Sequence, residues 1–306
     1  MSPACLPDKI EPVRLGAFEL DEWPPSLKEP HALAVLQPWM DAGSAGSQAL
    51  GRVESFLEAR PLGRLAKPGV FFDFTRYRPT SYLRGGRREV SLPNTTVSYA
   101  KRPEGQDFVF LRLLEPHILG EDYVEAVAQL LLKLGVRRFC LLGSMYDMVP
   151  HTRPLLVTGS ATGEKAVEEL KRVGAQSSAY EGPTTILSLL FQQAPNLGID
   201  TMLFLVHLPQ YTPLEEDHSG VLRLLELLGR LYALPIDLSE IKRLALSWYR
   251  EVSMVVEANP ELKAIVTQLE DYYGKRSKKG KAVATPRLSP EVERFLKRMG
   301  RRLEQQ

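Results

Sequence analysis

From Phe139 the chain runs Cys140-Leu141-Leu142-Gly143-Ser144-Met145-Tyr146-Asp147-Met148-Val149-Pro150-His151-Thr152-Arg153-Pro154-Leu155-Leu156-Val157-Thr158, and reaches Gly163 through Gly159-Ser160-Ala161-Thr162. Residues 139–142 form a short apolar run that stops at Gly143, after two arginines. A run of that length suits a buried strand better than a helix. Pro150 and Pro154 forbid a helix through the next segment, so His151 and Arg153 sit in a loop between two prolines. Residues 155–158 read as a second extended segment, and 164–172 as a helix after a glycine turn. In an open α/β sheet, ligands gather beyond the carboxyl ends of the strands. His151 and Arg153 therefore form the leading candidate site.

Outward from that stretch, apolar runs at 32–36, 70–74, 108–114 and 202–206 read as strands. Residues 48–59, 123–134 and 221–234 carry apolar side chains at helical spacing, and Gly135 closes the second of these as a C-cap. Pro183 suits the first position of a helix through Ile186, Leu189, Leu190 and Phe191. Strands alternating with helices from 31 to 234 imply a mostly parallel sheet covered on both faces. Residues 76–101 stand out as an insertion. Gly85-Gly86 between Ser81-Tyr82-Leu83 and Val90-Ser91-Leu92 predicts a β-hairpin. So long a hairpin does not bury both faces on its own chain, which suggests an oligomer contact.

Residues 1–30 hold six prolines and are expected to lie extended. From 236 to 273 the pattern is purely helical, with Ile241, Leu244, Ala245, Trp248, Val252 and Val255 on one stripe. This segment reads as a lid-like appendage. Residues 274–286 read as a basic linker and 287–306 as a C-terminal helix, which Ser289-Pro290-Glu291 would start.

The 306 residues suit one large domain plus that appendage. A net charge of +2 is too near neutral to imply a nucleic-acid partner. Only Cys5 and Cys140 occur, which fits a reducing cytoplasm and no disulfide framework. No apolar run approaches a membrane span, and the first thirty residues are unlike a signal peptide. Residues 159–165 lack the Walker arrangement, and 43–51 lack the dinucleotide spacing. Ser144 follows Gly143 without the second glycine of a nucleophile elbow. The five histidines lack zinc spacing. No cofactor or metal is expected.

What remains is a set of polar and aromatic residues near strand ends: Trp39, Asp41, Glu115, His151, Arg153, Tyr180 and Thr184. Arg153 is suited to clamp a carboxylate or phosphate, and His151 to act as acid or base. Asp41 or Glu115 would orient them. The alternative is structural: Arg153 pairs with Asp41 or Glu115 to fix loops, and His151 bonds backbone. Trp39 and Tyr180 either stack on a ligand ring or pack within the protein.

Trp39-Met40-Asp41-Ala42-Gly43, Pro150-His151-Thr152-Arg153-Pro154, Tyr180-Glu181-Gly182-Pro183-Thr184 and His207-Leu208-Pro209-Gln210-Tyr211 occur in that order. In these segments the sequence resembles the bacterial branch of the proteasome-assembly-chaperone family over about residues 31–235. One departure is His207, which precedes Pro209 where a Pro-His-Tyr ending is expected. The resemblance implies a three-layer α/β/α sandwich with a nucleoside-phosphorylase-like core. It also implies self-association into a small ring such as a trimer, a possible protein partner, and a helical region able to cover the cleft. It implies no reaction. The expectation is a cytoplasmic homo-oligomeric scaffold or chaperone-like protein rather than an enzyme. The alternative is an enzyme or binding protein for a small anionic or nucleoside-like molecule.

Overall fold

The computed structural model describes residues 12–22, 25–178, 180–212 and 214–279. The strands are β1 (Val13–Leu15), β2 (Phe18–Leu20), β3 (His31–Gln37), β4 (Arg60–Leu65), β5 (Thr80–Arg84), β6 (Arg87–Ser91), β7 (Thr96–Ala100), β8 (Phe108–Leu114), β9 (Arg138–Asp147), β10 (Val157–Ala161), β11 (Gln176–Ser177) and β12 (Asp200–Pro209). The helices are α1 (Ala45–Phe56), α2 (Gly120–Lys133), α3 (Glu164–Arg172), α4 (Leu187–Gln193), α5 (His218–Tyr232), α6 (Ser239–Glu257) and α7 (Pro260–Lys279).

Ten strands make one sheet in the order β1-β2-β4-β7-β8-β3-β9-β12-β10-β11. The central four, β8, β3, β9 and β12, are parallel. From β8 outward to β1 every pairing is antiparallel, and so is β10 with β12. The sheet is therefore mixed rather than mostly parallel. Part of the reason is chain length. Only residues 101–107 join β7 to β8, too few for the crossover a parallel pair needs.

Side-chain alternation along β3 separates two cores. Ala32, Ala34 and Leu36 join one cluster with Tyr123 and Val127 of α2 and Leu187 and Leu190 of α4. Leu33 and Val35 join another with Ala49 and Val53 of α1, Leu170 of α3 and Leu224 and Leu228 of α5. Successive residues of a strand face opposite ways, so the two clusters lie on opposite faces of the sheet.

Several boundaries differ from expectation. Residues 70–74 are not a strand. Pro68–Val70 is a 3-10 turn, and Phe71 and Phe72 insert beside Tyr123, with ring centroids 5.4 and 6.0 Å away. That apolar run plugs the core. The strand in this part of the chain is β4, whose Pro61 and Gly63 bracket an irregularity in its pairing with β7. A Cβ at Gly63 would collide with the Glu19 carbonyl. The insertion is shorter than 76–101, because Thr96–Ala100 is a core strand. The hairpin itself forms as expected, with Gly85 and Gly86 at φ 55° and 78°, as a primed two-residue turn requires. Within residues 1–30, β1 and β2 extend the sheet edge. β9 continues past Gly143 to Asp147.

Pro183 does not start α4, which begins at Leu187. Residues 274–279, expected as linker, continue α7. Residues 280–286 of the linker and the expected helix at 287–306 lie outside the described residues. Among the described residues no helix is long and apolar enough to cross a membrane.

Candidate functional site

The loops leaving the C-terminal ends of β9 and β12 meet the α6–α7 pair. Tyr211, Val252, Val256, Leu262, Ile265, Val266 and Leu269 form a third apolar cluster, with Met148 and Trp248 against it. Of the stripe expected on α6, Val252 and Trp248 join this cluster and Ile241 joins the α1–α5 core, but Val255 is exposed and Val256 is buried instead.

His151 is buried at this seam. Its backbone N–H donates to the Tyr211 hydroxyl at 2.7 Å, and its Nδ1 lies 2.6 Å from the same oxygen. Its Nε2 lies 3.0 Å from Ser253 Oγ. The Ser253 hydroxyl gives its proton to the Tyr249 carbonyl, so it must accept from His151. Nε2 then carries the hydrogen, and Tyr211 donates to Nδ1. Burial holds the imidazole below its usual value, with Glu270 acting in the opposite direction. A neutral His151 thus satisfies all three bonds. Arg153 reaches Glu270 of α7 at 3.6 Å, not Asp41 or Glu115. Thr152 also donates to Glu270, and the Tyr273 hydroxyl donates to the Pro154 carbonyl at 2.8 Å. The Pro-His-Thr-Arg-Pro loop is tied to the appendage at four points.

Asp41 and Glu115 serve helix starts. Asp41 Oδ1 accepts from Ser47 N–H at 3.0 Å, and Oδ2 accepts from the Ser47 hydroxyl. The first of these satisfies a backbone N–H in the first turn of α1. Glu115 Oε1 accepts from Ile186 N–H at 3.2 Å, just before α4, while Oε2 is buried with no hydrogen-bond partner. Burial raises its pKa, and the bond from Ile186 acts against that rise. Asp217 caps α5 by accepting from Gly220 N–H at 2.8 Å.

Trp39 and Tyr180 are 57% and 67% exposed, so neither is a core residue. The Tyr180 hydroxyl donates to the Pro183 carbonyl at 3.0 Å, and Thr184 Oγ1 lies 2.6 Å from Ser188 Oγ. The seven candidates thus divide. His151 and Arg153 share the α6–α7 seam, Asp41 and Glu115 hold two different helix starts, and Trp39, Tyr180 and Thr184 are exposed.

One constellation escaped the sequence. His207 Nδ1 lies 2.7 Å from Asp147 Oδ2, and its Nε2 lies 2.8 Å from Thr158 Oγ1. Its partners come from β9 and β10, at sequence separations of 60 and 49, and no spacing motif signals such an arrangement. Among the described residues no group of His, Cys, Asp and Glu is placed to hold a metal ion.

Against known proteins, a family model described as the PAC2 family matches residues 35–256. No curated protein matches the chain. The crystal structure of a PAC2 family protein from Streptomyces avermitilis is similar at 26% identity and a TM-score of 0.70, covering 78% of this chain and 99% of that one. A Mycobacterium tuberculosis protein of unknown function is 24% identical with a TM-score of 0.74, covering 88% and 92%. A proteasome-assembly chaperone homologue from Mycobacterium tuberculosis is 24% identical with a TM-score of 0.68, covering 77% and 99%. These last two show likeness of fold.

Proposed function

The chain belongs to the PAC2 family, and from that premise we propose that it is a cytoplasmic, homo-oligomeric scaffold or chaperone-like protein that works through contacts. The observation that carries this is the β5–β6 hairpin. It forms a two-stranded sheet separate from the core. Leu83, Val90, Leu92 and Tyr82 are 69%, 60%, 46% and 41% exposed on or beside it. An isolated two-stranded hairpin is marginal in water, and its open edges invite another chain.

A second copy of this chain is the occupant. The arm also carries Arg84, Arg87 and Arg88 against a single acid, Glu89. Two such arms laid together would repel, so each arm seats on a different surface of its neighbour. Repeating that heterologous contact closes a ring, in keeping with a trimer. A protein partner would then meet the assembled ring, as the similarity to a proteasome-assembly chaperone homologue suggests. The two cores on opposite sheet faces support a three-layer α/β/α arrangement like that of nucleoside phosphorylases, with residues 236–273 as a lid-like subdomain.

The test is light scattering on the wild type and on a variant lacking residues 82–92. The expected result is a lower mass for the variant with its melting transition intact. An unchanged mass would sink the assembly role of the arm.

A further inference from the structure

The Asp147–His207–Thr158 relay joins the C-terminal ends of β9 and β12 to the start of β10. Val206 and Leu208 of β12 and Val157 of β10 point into the α1–α5 core. By alternation His207 and Thr158 point to the other face, as does Asp147, whose even-numbered neighbours Cys140 and Leu142 belong to the α1–α5 core. The three side chains stand on neighbouring strands of one face. As a carboxylate, Asp147 only accepts, so the hydrogen of a neutral His207 sits on Nδ1. Nε2 is then a lone pair directed at the Thr158 hydroxyl, 2.8 Å away. This tautomer is the reverse of that in His151, and it is the one a general base needs. Asp147 Oδ1 accepts from Met148 N–H at 2.7 Å, which fixes the carboxylate.

His207 itself is buried, and the relay approaches solvent through the residues beside it. Met145, the register partner of His207, is 37% exposed, and Thr158 is half-buried.

We propose that Thr158 is an acyl-accepting nucleophile, with His207 as its general base and Asp147 as the positioning residue, and that the site takes small carboxylic esters. This goes beyond the scaffold role and does not depend on it. Thr158 Oγ1 attacks the ester carbonyl carbon as its proton passes to His207 Nε2. The bond from that carbon to the alkoxy oxygen breaks, and the imidazolium returns the proton to the departing oxygen, releasing an alcohol. Water then attacks the threonyl ester and gives a proton to His207. That proton goes to Thr158 Oγ1 as the carboxylic acid leaves. The sum is ester plus water giving acid plus alcohol. Asp147 orients the ring through its bond to Nδ1.

The probe is 4-nitrophenyl acetate with the full chain. The wild type should release nitrophenolate faster than buffer and carry one acetyl group on the peptide containing Thr158. Thr158→Val should lower release by about 100-fold or to the buffer rate and abolish the acetyl peptide. Thr158→Ser should retain both, with circular dichroism showing all three folded alike. Release by Thr158→Val at the wild-type rate, acetylation confined to other residues, or no release by wild type above buffer would each overturn the proposal.

Discussion

The Tyr211 hydroxyl lies 2.6 Å from His151 Nδ1 and accepts from the His151 backbone N–H at 2.7 Å. One oxygen from the loop after β12 therefore holds both the ring and the main chain of the loop after β9. Tyr211→Phe keeps the apolar ring in the third cluster and removes both bonds. A buried N–H and a buried ring nitrogen are then left without partners, at a cost of about 1–3 kcal/mol. The urea midpoint should fall, and amide exchange should quicken in α6 and α7 before it does in the sheet. If exchange in those helices is unchanged, the pair does not hold the appendage.

Acid should weaken the fold through two histidines. Burial, reinforced by Arg138 and Lys165, lowers the pKa of His31 to about 3. Burial also lowers that of His151. For both, the unfolded chain binds its proton near pH 6.5 while the folded chain resists it. Their contribution is complete above about pH 6.5 and is lost as pH falls toward the depressed folded value. For His31 the window runs from about 6.5 to about 3, with a slope of about 1.4 kcal/mol per pH unit. His31→Gln should flatten the dependence of unfolding free energy on pH across that window. Parallel curves for wild type and variant would show that His31 does not titrate this way.

The fold is legible in the sequence where a pattern repeats locally. The apolar run of β3 and the glycine pair of the hairpin are local signals, and each forms; the apolar stripe of α6 forms in part, with Val255 exposed. Residues 70–74 read as a strand because an apolar run says only that side chains are buried, and Phe71 and Phe72 are buried as a plug. β4 is hidden because Pro61 and Gly63 break the pattern that marks a strand. Polar residues at strand ends mark the candidate site, but helix caps stand there as readily as binding groups, and Asp41 and Glu115 are at helix starts. The partners of His151, Arg153 and His207 come from segments 49 or more residues away, and only the fold brings them together.

Glu115 separates a structural role from a chemical one. Its Oε1 accepts from Ile186 N–H, but Oε2 is buried with no hydrogen-bond partner. Burial raises its pKa. A carboxyl with a raised folded pKa favours folding when protonated and opposes it when ionised. Glu115→Gln keeps an oxygen for Ile186 and removes the buried charge. At pH 7 the variant should be more stable than wild type. The gain should shrink as pH falls through the carboxylate range, where wild-type Glu115 takes up its proton. Denaturant unfolding at pH 7 and pH 4 measures both. A variant less stable than wild type at pH 7 would mean that the charge itself holds the start of α4, through the attraction of a carboxylate for a helix N-terminus.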